Sequence, residues 1–385
     1  MTDRADVIVV GGGAMGASIA YHLGAARAGR IVLLERESAL GLGSTGRCAG
    51  GFRHQFTSEI NVRLSLESVR MIREFSSTHG LPLDLSVDGY LFLVRDASAW
   101  SEHRAAATMQ RSLGARVEEV DAAFITGLVP GLNMEEMVGA TFGPDDGIAD
   151  PSGLTNGYAT LARRLGVDIR LGVDVTTIVT AGDGSSVTGV ETTAGRMDAP
   201  IVVLAAGVWA TALARSCGVE LPIVPERRHI VVTSPFAGSP GRRTLVIDTR
   251  TMFYFHREGE GVLMGMPPRD PVVTFETAVD DRWIADELLP VAVSVLPSLE
   301  DAGIVAKWSG LYEMTPDHHA ILGPVEGLDG LYLAGGFSGH GFQHAPIVGK
   351  ILADLVTGTP PPVDVAALRL ERFDRGELIG ESHVV

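Results

Sequence analysis

The strongest constraint on this chain lies at its start. Asp6-Val7-Ile8-Val9-Val10-Gly11-Gly12-Gly13-Ala14-Met15-Gly16 is answered further on by Ile31-Val32-Leu33-Leu34-Glu35. An apolar run of strand-forming residues leads into Gly-x-Gly-x-x-Gly, a helix-compatible segment follows, and a second apolar run ends on an acid. That order spells a βαβ unit that binds a dinucleotide. Gly11 turns the chain, Gly13 lets the backbone approach a pyrophosphate, and Gly16 lets helix and strand pack closely. Ala14 and Met15 open the helix, whose first amides face the phosphates. Glu35 stands where a carboxylate accepts from ribose hydroxyls and repels the extra phosphate of NADP, with Arg36 beside it. The ligand expected is therefore FAD or NAD.

With 385 residues, 45% of them hydrophobic, and 47 glycines, the chain can bury a large core and form two domains or one with insertions. A formal charge of -16 excludes a basic surface for nucleic acid. Cys48 and Cys217 are the only cysteines, too few for a disulfide framework or a metal cluster, so no metal site is expected. They fit a reducing cytoplasm. The first strand begins within six residues of Met1, which predicts no leader peptide. No apolar run is long enough to span a bilayer. Lys307 and Lys350 are the only lysines.

The stretch from Gly41 to Arg53 is too glycine-rich for a helix and is expected to run along the bound nucleotide. Thr57 or Ser58 caps a helix carrying Ile60, Leu64, Val69, Ile72 and Phe75, ending near Gly80. Strand character over Leu81 to Val94 and a helix over 97–113 begin a first insertion. After the Gly147–Pro151 turn come a helix over 154–165 and strands over 167–175, 187–192 and 201–205. The last of these runs into Ala206-Gly207-Val208-Trp209, a second strand-to-glycine turn. From Leu221 to Trp308 strands dominate and form a second insertion. Leu331 to Phe342 returns to the parallel-sheet pattern, followed by a helix from about Pro346 to Val356. The fold class is α/β: a Rossmann-type nucleotide domain built from 1–80, 147–218 and 320–360, with an α+β substrate domain of mainly antiparallel sheet from 81–146 and 219–319. Residues 361–385 form a tail with no functional signal.

Four landmarks together resemble the superfamily of glycine oxidase, sarcosine oxidase and D-amino-acid oxidase. They are the N-terminal motif with Glu35, the Gly43–Arg53 loop, the Ala205–Trp209 turn, and Gly335-Gly336-Phe337-Ser338-Gly339-His340-Gly341. Gly310-Leu311-Tyr312-Glu313-Met314-Thr315-Pro316-Asp317-His318-His319 ahead of the last makes the pattern more selective. The chain looks most like the beta-subunit type of sarcosine oxidase and of dye-linked L-proline dehydrogenase. The resemblance implies FAD. It places Gly11, Gly13, Gly16 and Glu35 on the ADP half, Ser44 and Thr45 at the pyrophosphate, and Val175 at the adenine through its backbone. Gly336, Gly339, His340, Gly341 and Phe342 would line the flavin side, with Ala206, Gly207 and Trp209 on the second turn.

Departures from the pattern carry information too. The cysteine that binds flavin covalently in monomeric sarcosine oxidases is missing from the stretch that begins at Gly310, so FAD is expected to be noncovalent. Their oxygen-activating lysine lies in Gly-Leu-Lys-Leu-Gly, where this chain has Gly261-Val262-Leu263-Met264-Gly265. Gln343 stands where a carboxylate-binding lysine follows Gly-Phe. Both losses tilt the expectation toward a dehydrogenase passing electrons to another acceptor.

The activity implied is oxidation of the carbon-nitrogen bond of a small amine or amino acid, such as sarcosine, proline or an N-methyl amino acid. Such a site must seat the substrate and exclude water. Arg53 could grip a substrate carboxylate bidentately, the plain alternative being a surface ion pair. Arg47 is a second cation, suited to the flavin. Tyr254 and His256 alternate to one strand face, where either could orient the amine, and His340 is a further candidate. Half-buried sheet positions and a loop histidine bonded to its neighbours are the bland readings. Two rival functions remain: a flavin-keeping assembly subunit beside other chains, and an FAD-dependent dehydrogenase of 2-hydroxy acids. The substrate, the oligomer and the electron acceptor are not encoded in any motif.

Overall fold

The computed structural model describes residues 3–383. Its central sheet has six strands in the order Asp168–Leu171, Ile31–Glu35, Val7–Val10, Ile201–Leu204, Leu331–Gly335 and Ile321–Pro324. The first five run parallel and the last is antiparallel. Every residue of Val7–Val10 is buried because both faces of the sheet are covered. Val7 and Val9 pack with Ile19 and Ile351, from helices Ala14–Ala25 and Gly341–Val356. Ile8 and Val10 point the other way, toward Val190 and Met197. Those two belong to a four-stranded layer that includes Val175–Thr180, Val187–Thr192 and Gly195–Asp198.

A second sheet of eight strands carries the other side of the site. Its order is Ile304–Met314, Val224–Thr233, Gly261–Met266, Phe253–Glu258, Leu245–Asp248, Tyr90–Val94, Gly139–Gly143 and Glu118–Glu119. All neighbours are antiparallel except Leu245–Asp248 against Tyr90–Val94. Phe253, Phe255 and Met264 face one core, while Ile230, Tyr254 and Leu263 face another. The segments of the two large sheets interleave along the chain.

Two stretches depart from expectation. The region read as dominated by strands contains a helical run over Asp281–Trp283, Ile284–Leu288, Leu289–Val295 and Pro297–Asp301. It buries Ile284, Leu288, Ala292 and Val295, an i, i+4 stripe that Pro290 and Pro297 disguise in the sequence. The last long helix begins at Gly341, and Pro346 lies inside it rather than at its start. The tail packs back on the molecule: Arg372 is buried in a paired bond to Asp317, at 2.8 and 3.0 Å. No helix among the described residues is long and apolar enough to cross a membrane. No group of His, Cys, Asp or Glu among them could hold a metal ion.

Candidate active site

The glycines of the opening motif are each required by a contact. Gly11 has φ +106°, and a Cβ there would stand 2.4 Å from the Ala205 carbonyl oxygen. A Cβ on Gly16 would stand 1.8 Å from the Gly11 oxygen, so the helix could not approach its strand. Gly13 would meet only the Thr45 hydroxyl, at 3.1 Å, and so keeps its backbone open to the space in front of the helix. That space is the end of a cavity of about 700 Å³, within the usual range for small-molecule and cofactor sites.

At this end Thr45 Oγ1 accepts from the Ala14 amide (3.1 Å), occupying one of the helix's free donors. Glu35 accepts from the Gly12 amide (2.6 Å) and the Glu37 amide (2.8 Å), which fixes its carboxylate at the mouth of the turn. The Arg36 guanidinium lies 3.9 Å over the Trp209 ring, and both reach the cavity wall beside Val175. Ser44 donates to the Leu311 carbonyl (2.7 Å) and Arg47 to the Ser309 carbonyl (2.7 Å), tying the glycine-rich loop to the edge of the eight-stranded sheet.

The cavity runs on between the two sheets. Gly11, Gly13, Ala14, Met15, Glu35, Arg36, Ser44, Thr45, Arg47, Val175, Ala206, Gly207, Trp209, Gly339, Gly341, Phe342 and Tyr254 all line it. Gly16 lies beneath, in the helix packing. Gly336 is off the wall and shapes the loop, with φ +74° and Thr315 Cγ2 2.5 Å from where a Cβ would be. His340 caps the helix at Gly341, edge-on to Phe56 at 5.0 Å, away from the wall. Burial and the nearby Arg53 hold its imidazole well below the ordinary range, so it is neutral at neutral pH.

Arg53 and His256 are also off the wall. The Arg53 guanidinium is buried against Phe56 (4.0 Å), with its terminal nitrogens donating to the carbonyls of Gln55 and His383. His256 shares a face with Tyr254, as alternation demands, but sits one pleat deeper. Its Nδ1 meets the Arg257 carbonyl oxygen at 2.8 Å, and burial pulls it down to about 4. Tyr254 alone of that pair reaches the cavity, its phenol pushed up by burial and therefore protonated.

The far wall contains residues to which the sequence reading gave no role. Arg228 is ion-paired to Glu226 (2.8 Å) and lies 5.2 Å from the Tyr312 ring. Tyr312, Ile230 and Phe337 complete an aromatic and aliphatic lining. Glu313 accepts from the Phe337 amide (3.3 Å), its other oxygen is enclosed without a partner, and burial pushes its carboxyl up to about 7. The signal available was two arginines within a strand, Arg227 and Arg228, and the selective stretch Gly310–His319 that contains Tyr312 and Glu313. Neither lysine reaches the cavity: Lys307 pairs with Asp281 and Lys350 with Asp354. Leu263, the middle residue of the stretch compared with Gly-Leu-Lys-Leu-Gly, packs with Ile230 and Tyr254.

A Rossmann-type sheet, a glycine cradle that any Cβ would fill, and a cavity leading from an acid to an aromatic chamber define a flavin-type oxidoreductase. The chain belongs to the family of FAD dependent oxidoreductases known as DAO, whose pattern matches residues 6–355. It is 30% identical over 395 residues to mitochondrial dimethylglycine dehydrogenase of Rattus norvegicus, covering 97% of this chain and 45% of that protein. It is 29% identical over 385 residues to mitochondrial sarcosine dehydrogenase of Homo sapiens, covering 97% and 42%. The chain thus spans less than half the length of these two relatives. Its fold matches the crystal structure of L-proline dehydrogenase from P. horikoshii with a TM-score of 0.91 at 29% identity, over 98% of this chain and 100% of that one.

Proposed function

We propose that this protein oxidises the carbon-nitrogen bond of a small secondary or N-methylated amino acid with noncovalently held FAD, and passes the electrons to an acceptor other than oxygen. The observation that carries the reading is the single cavity joining the opening glycine motif to the chamber of Tyr254, Tyr312 and Arg228. FAD supplies a hydride acceptor for the carbon beside nitrogen. The ADP half is assigned to Gly11, Gly13, Ala14, Met15, Glu35 and Arg36, the pyrophosphate to Ser44 and Thr45, and the flavin end to Arg47, Gly339, Gly341 and Phe342. Sheet membership supports cofactor segments 1–80, 147–218 and 320–360 and substrate segments 81–146 and 219–319.

Tyr254 and Tyr312 are both pushed up by burial, so their phenols stay protonated and serve as hydrogen-bond partners for the amine, not as bases. Ile230, Phe337 and Phe342 exclude water around them. Arg228, ion-paired to Glu226, brings a guanidinium to the chamber wall, and Arg53, buried off that wall, is the second candidate cation for a carboxylate. The names of the relatives support N-methylated substrates, and the absence of a lysine on the described cavity wall supports a non-oxygen acceptor.

The test is anaerobic mixing of the FAD-loaded protein with sarcosine, dimethylglycine, proline and lactate, followed by air. Bleaching by an amine that persists in air and reverses with an artificial dye is expected. Bleaching by lactate alone would replace the amine with a 2-hydroxy acid, and flavin that stays yellow throughout would favour an assembly subunit.

A further inference from the structure

We propose that Glu313 is a cofactor-binding residue, its carboxyl donating a hydrogen bond to the polar chain of FAD that joins the ADP half to the flavin. The consequence is that FAD binding takes up a proton at alkaline pH. The inference rests on the reading above that this cavity is the FAD site.

Glu313 is half-buried and stands on the cavity wall. Its Oε1 accepts from the Phe337 amide at 3.3 Å, and its main-chain oxygen accepts from the Ser338 amide at 3.1 Å, so the residue braces the C-terminal glycine loop. Oε2 has no partner. A carboxyl oxygen left unpaired away from water is costly, and here the protein leaves room beside it. A Cβ built on Gly207 would find nothing within 4 Å except Oε2, at 3.9 Å, and one on Gly335 would stand 3.6 Å from the same oxygen. Gly207 is itself on the wall. The last torsion of a glutamate is soft, so a small turn of the carboxyl presents Oε2 to a group lying along Gly207.

A carboxyl meets an anionic cofactor favourably only while it keeps its proton, because the neutral form donates and the ionised form accepts alone. Burial pushes Glu313 up to about 7, with the Gly336 and Phe337 amides opposing the rise. The turn 206–209 and the loop 335–338 carry no ionisable side chain. On the paired strand Pro225 stands opposite Glu313, and the charged residues next along it are Glu226, Arg227 and Arg228. Arg228 is engaged with Glu226 (2.8 Å), Arg227 with the Ala278 carbonyl (3.2 Å), and Arg47 on the glycine loop with the Ser309 carbonyl (2.7 Å). Tyr312, the neighbouring wall residue, is protonated. The pyrophosphate of FAD adds negative charge, which disfavours a carboxylate nearby. Bound FAD therefore holds Glu313 in its neutral form. Below pH 7 the free protein already has that proton; above it, FAD binding must take one up, and affinity falls as the pH rises.

The experiment is calorimetric titration of the full chain, freed of FAD, with FAD at pH 6 and pH 8 in buffers of different ionisation heat. The wild type should take up close to one proton per FAD at pH 8 and bind roughly ten-fold more weakly there than at pH 6, the limit for one linked group. Glu313→Gln keeps a donor that cannot ionise, so it should bind equally at both pH values and take up no proton. A wild type without proton uptake, or a Glu313→Gln protein with the same uptake and the same loss of affinity, would overturn the proposal. No turnover enters this readout. A chain that binds no FAD at either pH would defeat the cavity reading as well, so the two failures are distinct.

Discussion

At Gly16 a methyl group would stand 1.8 Å from the Gly11 oxygen, a backbone atom with no room to retreat. Gly16→Ala should cost about 1–3 kcal/mol, the usual penalty of overpacking, and should yield protein that purifies without flavin. Thermal melting and the visible spectrum check both effects. Glu313 tests a different kind of constraint. Its carboxyl is pushed up to about 7 by burial, so it is neutral in the folded protein where an unfolded glutamate has already ionised. Its stabilising contribution is complete below about pH 4.5, the ordinary glutamate value, and is lost as the pH rises through 7. The melting temperature of Glu313→Gln relative to the wild type should therefore rise between pH 5 and pH 8. A relative melting temperature that stays constant over that interval would show that Glu313 does not titrate there in the fold.

Helices Ala14–Ala25 and Gly341–Val356 cross at a point set by Gly349, where a Cβ would stand 2.2 Å from Ser18 Oγ and 2.7 Å from the Ser18 carbonyl carbon. Gly349→Ala should separate the helices that flank the glycine cradle, lowering both Tm and FAD affinity, as a thermal melt and a fluorescence titration would report. The tail makes an opposite demand, for charge. Burial works against the Glu381 carboxylate, but the bonds from Thr57 and the nearby Arg53 guanidinium outweigh it and hold its pKa at about 2. Its contribution is present above the ordinary glutamate value and disappears as the pH falls toward 2. The stability gap between wild type and Glu381→Gln should accordingly close as the pH drops over that interval. A gap independent of pH would mean that the carboxylate is not ionised where it docks.

Across the whole molecule, what could be read from the sequence divides by the range of the interactions involved. Gly11, Gly13, Gly16 and Glu35 were legible because their constraint is local: one turn, one helix start and one strand end within a single βαβ unit. The loop at Gly336 and Gly339 was legible through resemblance, since small residues there have no side-chain pattern of their own. The far wall was not. Arg228, Tyr312 and Glu313 meet only because Val224–Thr233 pairs with Ile304–Met314 over many residues of intervening chain, and no local pattern fixes that pairing. The tail was missed for the same reason: one glutamate in a polar stretch gives no sign that its partners lie more than three hundred residues earlier. Arg53 and His256 were placed on the right loop and strand face, but depth behind a wall is a tertiary quantity. The central claim is that one cavity holds FAD at one end and an amine at the other. Anaerobic titration of the reconstituted protein with sarcosine tests it most directly. The account predicts one FAD per chain, fully bleached by a stoichiometric amount of the amine. A protein that binds no FAD, or whose bound flavin stays yellow with sarcosine, dimethylglycine and proline alike, would contradict it.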